Sequence, residues 1–576
     1  MNKPRKYLLF DRGIIDGHLC QNAVLRLAKA EKDMKNNPMM TEEFFANPSK
    51  PWEVRYDNGY PNVFRDIEQN VFRLYYTTFS YDKDSAQTRL EERPFRQYMP
   101  SKSRATCTCY AMSTDGVHWQ KPELGLSEFE GNLANNIILK NAHGTSVLYD
   151  RADPDPTKRY KLITKMHYSQ ENNYMAVAFS RDGIDFSTPQ PWPKYNPPAD
   201  THNFVFMDPK TNRYVLVTRV WKDGIRIAAK SESSDFLTWT EPEEIARGIG
   251  FENQVYSMPV FFYEGLYLGL ASIYHDGDRS AENFDTVDLS LMYTYDLRHF
   301  DWIEAGVTLI ERGKGKYPDG DWDCGCIYAS SPIEIDDRIC IYYMGGNGQH
   351  TNFRETSLGR AWIDKDKFAY YAAKDGSKEA TLTLRPANYY GEHLEILADI
   401  EDDGWIDCEF IDVSNSSYFD EVASARGRKQ VTRITKSGWN KIILGNMSTS
   451  YLAEKPLSLC LKFRNSRIYA IEGDLAIIRQ ERLERGLGEI DETRIRHLCG
   501  TTRSVYIRWH CERRISFGDG RAKHYAGESG WPLHRRKYGR VFFERHQCQE
   551  KGSPNCSGDK CWSCFDDSAD RIDKCQ

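Results

Sequence analysis

The sequence lacks long hydrophobic runs. No stretch approaches the roughly 18 consecutive apolar residues that a membrane-spanning helix requires, and the first residues do not contain the apolar core of a secretion signal. We therefore expect a cytoplasmic protein with no membrane partner. Neither charge is in excess, because 83 acidic residues stand against 77 basic ones and the net charge is −6. Since this balance is not typical of nucleic-acid-binding proteins, we also expect no nucleic acid partner.

A recognisable zinc-binding spacing is also lacking. Of the 15 cysteines, eight are scattered over the first 476 residues, as in a reduced protein with buried thiols. The other seven lie in residues 477–576, which are rich in arginine and include one Cys-x-x-Cys pair, Cys561 and Cys564. The remaining spacings there match no known zinc site. We predict no metal and no cofactor, and we assign residues 477–576 to a tail with no predicted fold.

Aromatic residues and a repeated turn are abundant. Aromatic side chains make up 13% of the chain, which favours β structure and also suits stacking on sugar rings. Between residues 51 and 371, a turn of the form Ser-x-Asp-Gly-x-x-aromatic recurs at intervals of roughly 55 to 70 residues. The clearest copies are at residues 110–119 and 179–186, and degenerate copies follow at 234–239, 295–302 and 363–368. Five copies predict the five four-stranded blades of a β-propeller.

The pattern changes after residue 371. Short alternating strands separated by turn residues run from 372 to 476, which predicts a β-sandwich. Residues 1–50 form a lead-in whose stretch 22–35 is rich in Ala, Lys and Glu and is predicted to be helical. The predicted fold is therefore all-β, with a five-bladed β-propeller at 51–371 followed by a C-terminal β-sandwich at 372–476.

Acidic residues stand where the repeated units begin. Asp57 lies in a turn before an aromatic strand, and Asp200, Glu252 and Asp323 occupy similar places later in the chain. In a propeller, the beginnings of the innermost strands surround the central axis, so we expect these four acids to converge there. Cleavage of a glycosidic bond uses two carboxyl groups, of which one donates a proton and the other acts as nucleophile or base. The four acids are therefore the predicted catalytic residues.

The identity of the proton donor is left open. Glu252 follows Phe251 and precedes Val255 and Tyr256, and a partly apolar setting would raise its pKa as a donor requires. Asp323 is the other candidate donor. Polar and aromatic residues beside the four acids are predicted to bind substrate: Asn58, His202, Asn203, Asp321 and Trp322.

Several of these motifs together resemble glycoside hydrolase families 32 and 43. The resemblance covers roughly residues 50–476 and rests on Asp57-Asn-Gly, the Ser-x-Asp-Gly-x-x-Trp turns, Asp200-Thr-His-Asn, Met258-Pro-Val-Phe and Trp322-Asp-Cys-Gly-Cys-Ile-Tyr. It implies a five-bladed propeller, with the C-terminal sandwich of family 32. It also implies a nucleophile at Asp57 and a transition-state stabiliser at Asp200. The acid/base glutamate of family 32 falls at Ser257, which leaves the donor to Glu252 or to the pair Asp321 and Asp323.

The predicted function is hydrolysis of a glycosidic bond in an oligosaccharide or polysaccharide. Three alternatives stay open: a sialidase-like enzyme, a non-catalytic carbohydrate-binding propeller, and a five-bladed glycoside phosphorylase. A phosphorylase needs a basic site for phosphate, for which Arg219, Arg354 and Arg360 are available. The predicted partner is a carbohydrate substrate, and the sequence leaves the oligomeric state open.

Overall fold

The computed structural model describes residues 4–411, 431–443 and 456–479. Helix in these ranges is limited to α1 (Lys83–Gln87) and three single-turn 3-10 helices, Arg12–Ile14, Arg93–Phe95 and Pro156–Lys158. The prediction of an all-β fold is confirmed for these ranges. No helix in these ranges is long and apolar enough to cross a membrane. The predicted tail lies outside the described residues from residue 480 onward.

The N-terminal lead-in forms strands, so the predicted helix at 22–35 is wrong. Its four strands are β1 (Arg5–Leu8), β2 (Ala23–Leu27), β3 (Glu31–Lys32) and β4 (Met40–Thr41). Strand β2 pairs with Ala369–Ala373, and β3 and β4 pair with Thr356–Asp364. The hydrogen bonds and buried contacts of this pairing outweigh the weak helix propensity of the Ala- and Lys-rich segment.

Three antiparallel four-stranded sheets follow in chain order. The first contains β5 (Asn62–Asp66), β6 (Val71–Ser80), β7 (Ala105–Ser113) and β8 (Ile137–Lys140). The second contains β9 (Ala142–Tyr149), β10 (Tyr160–His167), β11 (Asn173–Ser180) and β12 (Gln190–Pro191). The third contains β13 (Phe204–Asp208), β14 (Arg213–Lys222), β15 (Ile225–Ser233) and β16 (Glu243–Arg247).

Two further units of the same kind share an eleven-stranded sheet. The fourth unit contains β17 (Asn253–Ser257), β18 (Val260–Tyr263), β19 (Leu266–His275), β20 (Val287–Thr294) and β21 (Asp301–Trp302). The fifth contains β22 (Cys326–Ala329), β23 (Ile333–Ile335), β24 (Arg338–Gly346) and β25 (Thr356–Asp364), with β3 and β4 on its outer edge. A single parallel pair, Val287 with Cys326, joins the two units. The N-terminal segment therefore completes the last unit.

The repeated turn joins the third and fourth strands of a unit. In the first copy, Ser113 Oγ accepts hydrogen bonds from the main-chain nitrogens of Asp115 and Gly116, and Asp115 Oδ1 accepts from those of Val117 and His118. The same arrangement recurs at Ser180 and Asp182 and at Ser233 and Asp235, and Thr294 with Asp296 repeats it in part. The motif is thus a structural turn, as its sequence predicts.

Hydrogen bonds connect the five units in a closed cycle. Each bond joins a side chain near the inner strands of one unit to the main chain of the next. The bonds are Asn62 Oδ1 from Val147 N (2.7 Å), Ser146 Oγ from Val205 N (3.3 Å), Thr201 Oγ1 to Tyr256 O (2.8 Å), Ser272 Oγ to Ile327 O (3.2 Å) and Ser330 Oγ from Val63 N (2.8 Å). The first strands of the five units therefore lie around a common centre.

The C-terminal strands of the described chain form an eight-stranded sheet together with two strands of the N-terminal lead-in. It contains β1, β2, β26 (Ala369–Ala373), β27 (Ala380–Thr383), β28 (Ala387–Ile411), β29 (Thr432–Ile434), β30 (Gly438–Lys441) and β31 (Ser458–Ile477). The long strands β28 and β31 pair along most of their length and bury residues such as Ile396, Ile406 and Leu461. Because hydrogen bonds link all eight strands in one sheet, the two-sheet sandwich and the domain boundaries stay predictions.

Candidate functional site

Asp57 lies immediately before β5 and is held by two arginines. Its Oδ1 accepts from Arg55 Nε and from Arg354 Nη2, both at 3.0 Å. The side chain of Arg354 is fully buried. Burial alone disfavours the charged carboxylate, but Arg354 and Arg55 offset it and hold the pKa of Asp57 well below its usual range. Asp57 is therefore ionised at neutral pH.

Asn58 connects Asp57 to the fourth and fifth units. Its Oδ1 accepts from Arg354 Nη2 at 2.6 Å, and its Nδ2 donates to Tyr60 Oη at 2.8 Å and to Tyr256 Oη at 3.2 Å. The residue is 2% exposed. The hydrogen bonds of Asn58 fix the positions of the tyrosine hydroxyls, and its role in substrate binding stays a prediction.

Asp200 is the second ionised acid. Its Oδ1 lies 3.0 Å from His143 Nε2 and its Oδ2 lies 3.5 Å from Arg219 Nη2. The surrounding protein disfavours the charged form, but His143 and Arg219 more than offset this and hold the pKa of Asp200 well below its usual range. Because 74% of its side chain is exposed, this carboxylate is open to a ligand.

Arg219 and Tyr256 join the two acids into one site. The guanidinium of Arg219, which is 4% exposed, lies over the ring of Tyr256 at 4.4 Å. Tyr256 in turn accepts from Asn58 beside Asp57. Within the described part of the chain, the buried Nε and Nη1 of Arg219 make no hydrogen bond. We call this group of side chains the central cluster: Asp57, Asn58, Asp200, Arg219, Tyr256, His350 and Arg354.

His350 contributes a neutral imidazole to the central cluster. Its ring lies 4.8 Å from that of Tyr256, and its Nδ1 is 2.8 Å from Tyr328 Oη. Burial, followed by the charge of Arg354, lowers the pKa of His350 well below its usual value. The imidazole therefore exchanges hydrogen bonds without adding charge to a site that already holds several arginines.

Glu252 lies in a different setting from the one expected. Both Glu252 and Phe251 are exposed, Phe251 by 54%, so the predicted apolar surroundings are absent. Glu252 lines a small cavity of about 70 Å³ together with Asp276. Asp276 Oδ2 is 3.6 Å from Arg226 Nη1, and Arg226 lies over Tyr256 at 5.7 Å. Glu252 is thus connected to the central cluster through Asp276 and Arg226.

The structure places Asp323 away from the central cluster. Asp323 is 1% exposed, and its Oδ2 lies 2.6 Å from Lys32 Nζ on β3 and accepts from Tyr343 Oη at 2.8 Å. Trp322 stacks on Tyr343 at 5.4 Å, and Asp321 Oδ2 accepts from Lys314 N at 2.7 Å. These contacts favour a structural role, because they tie residues 321–323 to the outer part of the fifth unit.

His202 and Asn203 lie beneath the site. Both ring nitrogens of His202 are buried without a hydrogen bond in the described ranges, and burial lowers its pKa to about 3. The ring lies 5.9 Å from that of Tyr60. Asn203 is fully buried and bonds to Ala199 O at 3.1 Å and Thr218 Oγ1 at 2.7 Å. These bonds hold Asn203 at the start of β13, and the substrate-binding role of both residues stays a prediction.

Sequence reasoning missed most of the groups that surround the two acids. Arg354 was considered only as a possible phosphate ligand, and His350 and Tyr256 carried no motif. His350 and Arg354 lie in residues 347–355, a polar, glycine-containing loop that directly follows β24. A polar loop at the end of a buried strand is typical of a functional segment and was the one available signal.

Comparisons with known proteins give weak likenesses. No family model matches the chain, and no curated protein matches it. Among solved structures, a glycosyl hydrolase from Bacteroides ovatus has a TM-score of 0.40 at 13% identity, covering 59% of this chain and 95% of that chain. A β-1,2-mannobiose phosphorylase from Listeria innocua has 0.40 at 13%, covering 59% and 98%. An N-acetylgalactosamine deacetylase from F. plautii has 0.37 at 13%, covering 60% and 96%. At these values we base no functional argument on them.

Proposed function

We propose that the chain is a glycoside hydrolase whose active site is the central cluster. The five sheet units are taken as the blades of a five-bladed propeller, and the closed cycle of hydrogen bonds between their inner strands supports this. The observation that carries the proposal is the pair of ionised carboxylates, Asp57 and Asp200, which come from different units and are each held by a buried arginine. The substrate is an oligosaccharide or a polysaccharide.

The two acids have complementary roles in this mechanism. Cleavage of a glycosidic bond passes through a transition state in which positive charge develops on the sugar ring. Asp57, kept ionised by Arg55 and Arg354, serves as nucleophile or as base towards water. Asp200, ionised and open to solvent, stabilises the developing positive charge. Tyr256 and His350 supply neutral hydrogen-bonding groups for sugar hydroxyls.

A third carboxyl group must protonate the leaving oxygen, since Asp57 and Asp200 both stay ionised. We assign this role to Glu252, which lines a small cavity with Asp276, a partner of the Arg226 that lies over Tyr256. Asp323 is not assigned, because Lys32 and Tyr343 already engage its Oδ2.

A leaving-group comparison tests the assignment of Glu252. We expect Glu252→Gln to slow hydrolysis of alkyl glycosides by about 10²- to 10⁴-fold, which is the usual contribution of a general acid. With 2,4-dinitrophenyl glycosides, which need no protonation to depart, the same variant retains most of the wild-type rate. Asp276→Asn is the matched control, because Asp276 lines the same cavity as Glu252. If Glu252→Gln loses the same factor in hydrolysis rate on both classes of glycoside, the assignment of Glu252 is wrong.

A glycoside phosphorylase is the second candidate. The buried Nε and Nη1 of Arg219, without hydrogen-bond partners in the described part of the chain, favour it. Arginine suits planar recognition of phosphate oxygens. The test is cleavage of the same glycosides with and without inorganic phosphate. A hydrolase releases free sugar at the same rate in both, whereas a phosphorylase requires phosphate and releases a sugar phosphate.

A further inference from the structure

A second cavity lies beside the central cluster. Its volume is about 320 Å³, at the lower end of the range typical of small-molecule sites and sufficient for one sugar ring. The cavity lies between the chain that follows β4 and the start of β25. It is lined by Thr41, Glu42, Phe44, Phe45, Ala46, Val54, Leu90, Glu355, Thr356 and Ser357.

The cavity shares a wall with the turn that carries Asp57. Thr356 lines the cavity, and its hydroxyl donates to the main-chain oxygen of Asp57 at 2.7 Å. Glu42 lines it as well, and its Oε1 accepts from Tyr56 N at 2.8 Å. A sugar unit in the cavity would therefore lie against the turn that carries the proposed nucleophile, Asp57.

The polar part of the cavity combines a hydrogen-bond donor with an acceptor. Burial raises the pKa of Glu42 to about 8, in spite of the hydrogen bond from Tyr56, so its carboxyl group is protonated and donates at neutral pH. Glu355 is held by Arg93 Nη1 at 2.7 Å and by Asn347 Nδ2 at 2.9 Å, which leaves it an acceptor. One donor and one acceptor match the needs of neighbouring sugar hydroxyls.

The cavity wall also contains apolar side chains, beside the hydroxyl groups of Thr41, Thr356 and Ser357. The rings of Phe44 and Phe45 meet edge to face at 4.9 Å. Phe45 and Leu90 are each 45% exposed, so both can contact a ligand in the cavity. Apolar walls beside a few fixed polar groups are typical of carbohydrate sites, where the C–H face of a ring packs on an aromatic side chain.

We propose that this cavity is a subsite that binds a neutral sugar unit of the substrate next to the bond that is cleaved. The inference rests on the proposed function, since it gives that active site a second binding position. A neutral sugar is favoured over an acidic one, because the lining contains the carboxyl groups of Glu42 and Glu355 and no basic side chain. Glu42 takes part as a neutral donor, so Gln can replace it.

Chain-length dependence tests the subsite. The probes are 4-nitrophenyl glycosides and the corresponding neutral di- to hexasaccharides. We expect Phe45→Ala to raise KM about tenfold for the trisaccharide and longer chains, and by less for the aryl glycoside. Phe95→Ala, which removes a phenylalanine that is 88% exposed and does not line the cavity, is the control and leaves KM unchanged. Equal KM values for Phe45→Ala and wild type at every chain length would overturn the inference.

The protonation state of Glu42 gives a second, independent readout. Wild-type KM for the trisaccharide should rise as the pH passes 8, whereas Glu42→Gln should bind as tightly as the wild type at pH 7 and lose this pH dependence. A KM of Glu42→Gln that follows the wild-type pH profile contradicts the donor role.

Titration calorimetry with the same oligosaccharides separates this inference from the proposed function. Binding to the wild type that Phe45→Ala weakens supports the subsite even if no glycoside is cleaved, and in that case the hydrolase proposal fails alone. Cleavage of the aryl glycosides without any chain-length effect keeps the hydrolase and overturns the subsite. No binding of any oligosaccharide to the wild type overturns the subsite as well.

Discussion

Glu42 gives a prediction whose sign and size both come from the structure. Its carboxyl group accepts main-chain hydrogen bonds from Tyr56 and Thr356, and burial raises its pKa to about 8 from an ordinary value of 4.5. The nearby charge of Glu355 raises it further. Glu42→Gln keeps the shape of the side chain but cannot ionise, so it isolates the effect of this one titration.

The pKa of Glu42 is higher in the folded than in the unfolded chain, which fixes the sign. Between pH 4.5 and 8 the folded protein holds a proton that the unfolded chain has lost, so stability falls as the pH rises through this window. The gap between 4.5 and about 8 corresponds to about 5 kcal/mol, of which about 3 kcal/mol is lost between pH 5 and pH 8. Up to about 1 kcal/mol more is lost between pH 8 and pH 9, as the carboxyl group of the folded protein finishes titrating.

Urea unfolding from pH 5 to pH 9 measures this loss. We expect the difference in the free energy of unfolding between Glu42→Gln and the wild type to shift by about 4 kcal/mol in favour of the variant from pH 5 to pH 9. Glu43→Gln is the control, because ion pairs with Lys50 and Lys121 outweigh burial and lower the pKa of Glu43, whose contribution is lost only as the pH falls. Its offset from the wild type should be constant above pH 5. Parallel pH profiles for wild type and Glu42→Gln would refute the reasoning.

Two further predictions concern stability. Arg354→Met should cost about 3 kcal/mol in urea unfolding and raise the pKa of Asp57, because it removes one of the two buried guanidiniums that pair with this carboxylate; an unchanged urea midpoint would contradict this. Ser113→Ala should cost about 1 kcal/mol, because the buried main-chain N–H of Gly116 loses its acceptor, whereas alanine at the exposed Ser103 should change stability by less than about 0.5 kcal/mol.

The fold was predictable where local chemistry decides it. The main-chain groups of the Ser-x-Asp-Gly turns find hydrogen-bond partners within a few residues, so the turn at residues 113–118 was predicted correctly from the sequence. The strands of the lead-in were not predictable in this way. Ala23 pairs with Ala373, and all five sheet units lie between these two residues in the sequence. A propensity summed over neighbouring residues contains no information about such a distant partner.

The same distinction between local signals and distant contacts applies to the site. Asp57 and Asp200 were predicted because an acid before a repeated strand is a local signal. The arginines that hold them ionised were not, since Arg354 reaches Asp57 only after the fifth unit closes against the first. The setting of Glu252 was predicted wrongly for the same reason: Phe251 follows a glycine turn and points to solvent, which adjacent letters do not reveal.

Release of reducing sugar from neutral oligosaccharides by Asp200→Asn tests the central claim most directly. The side chain of Asp200 is 74% exposed and asparagine keeps its shape, so we expect the variant to fold, which its circular dichroism spectrum checks. Asp223→Asn is the matched control, since its side chain is 69% exposed, lies in the same unit and pairs with Arg247 away from the central cluster. The account predicts that Asp200→Asn loses at least about 10³-fold in kcat, while Asp223→Asn keeps the wild-type rate. Wild-type turnover by Asp200→Asn would contradict it.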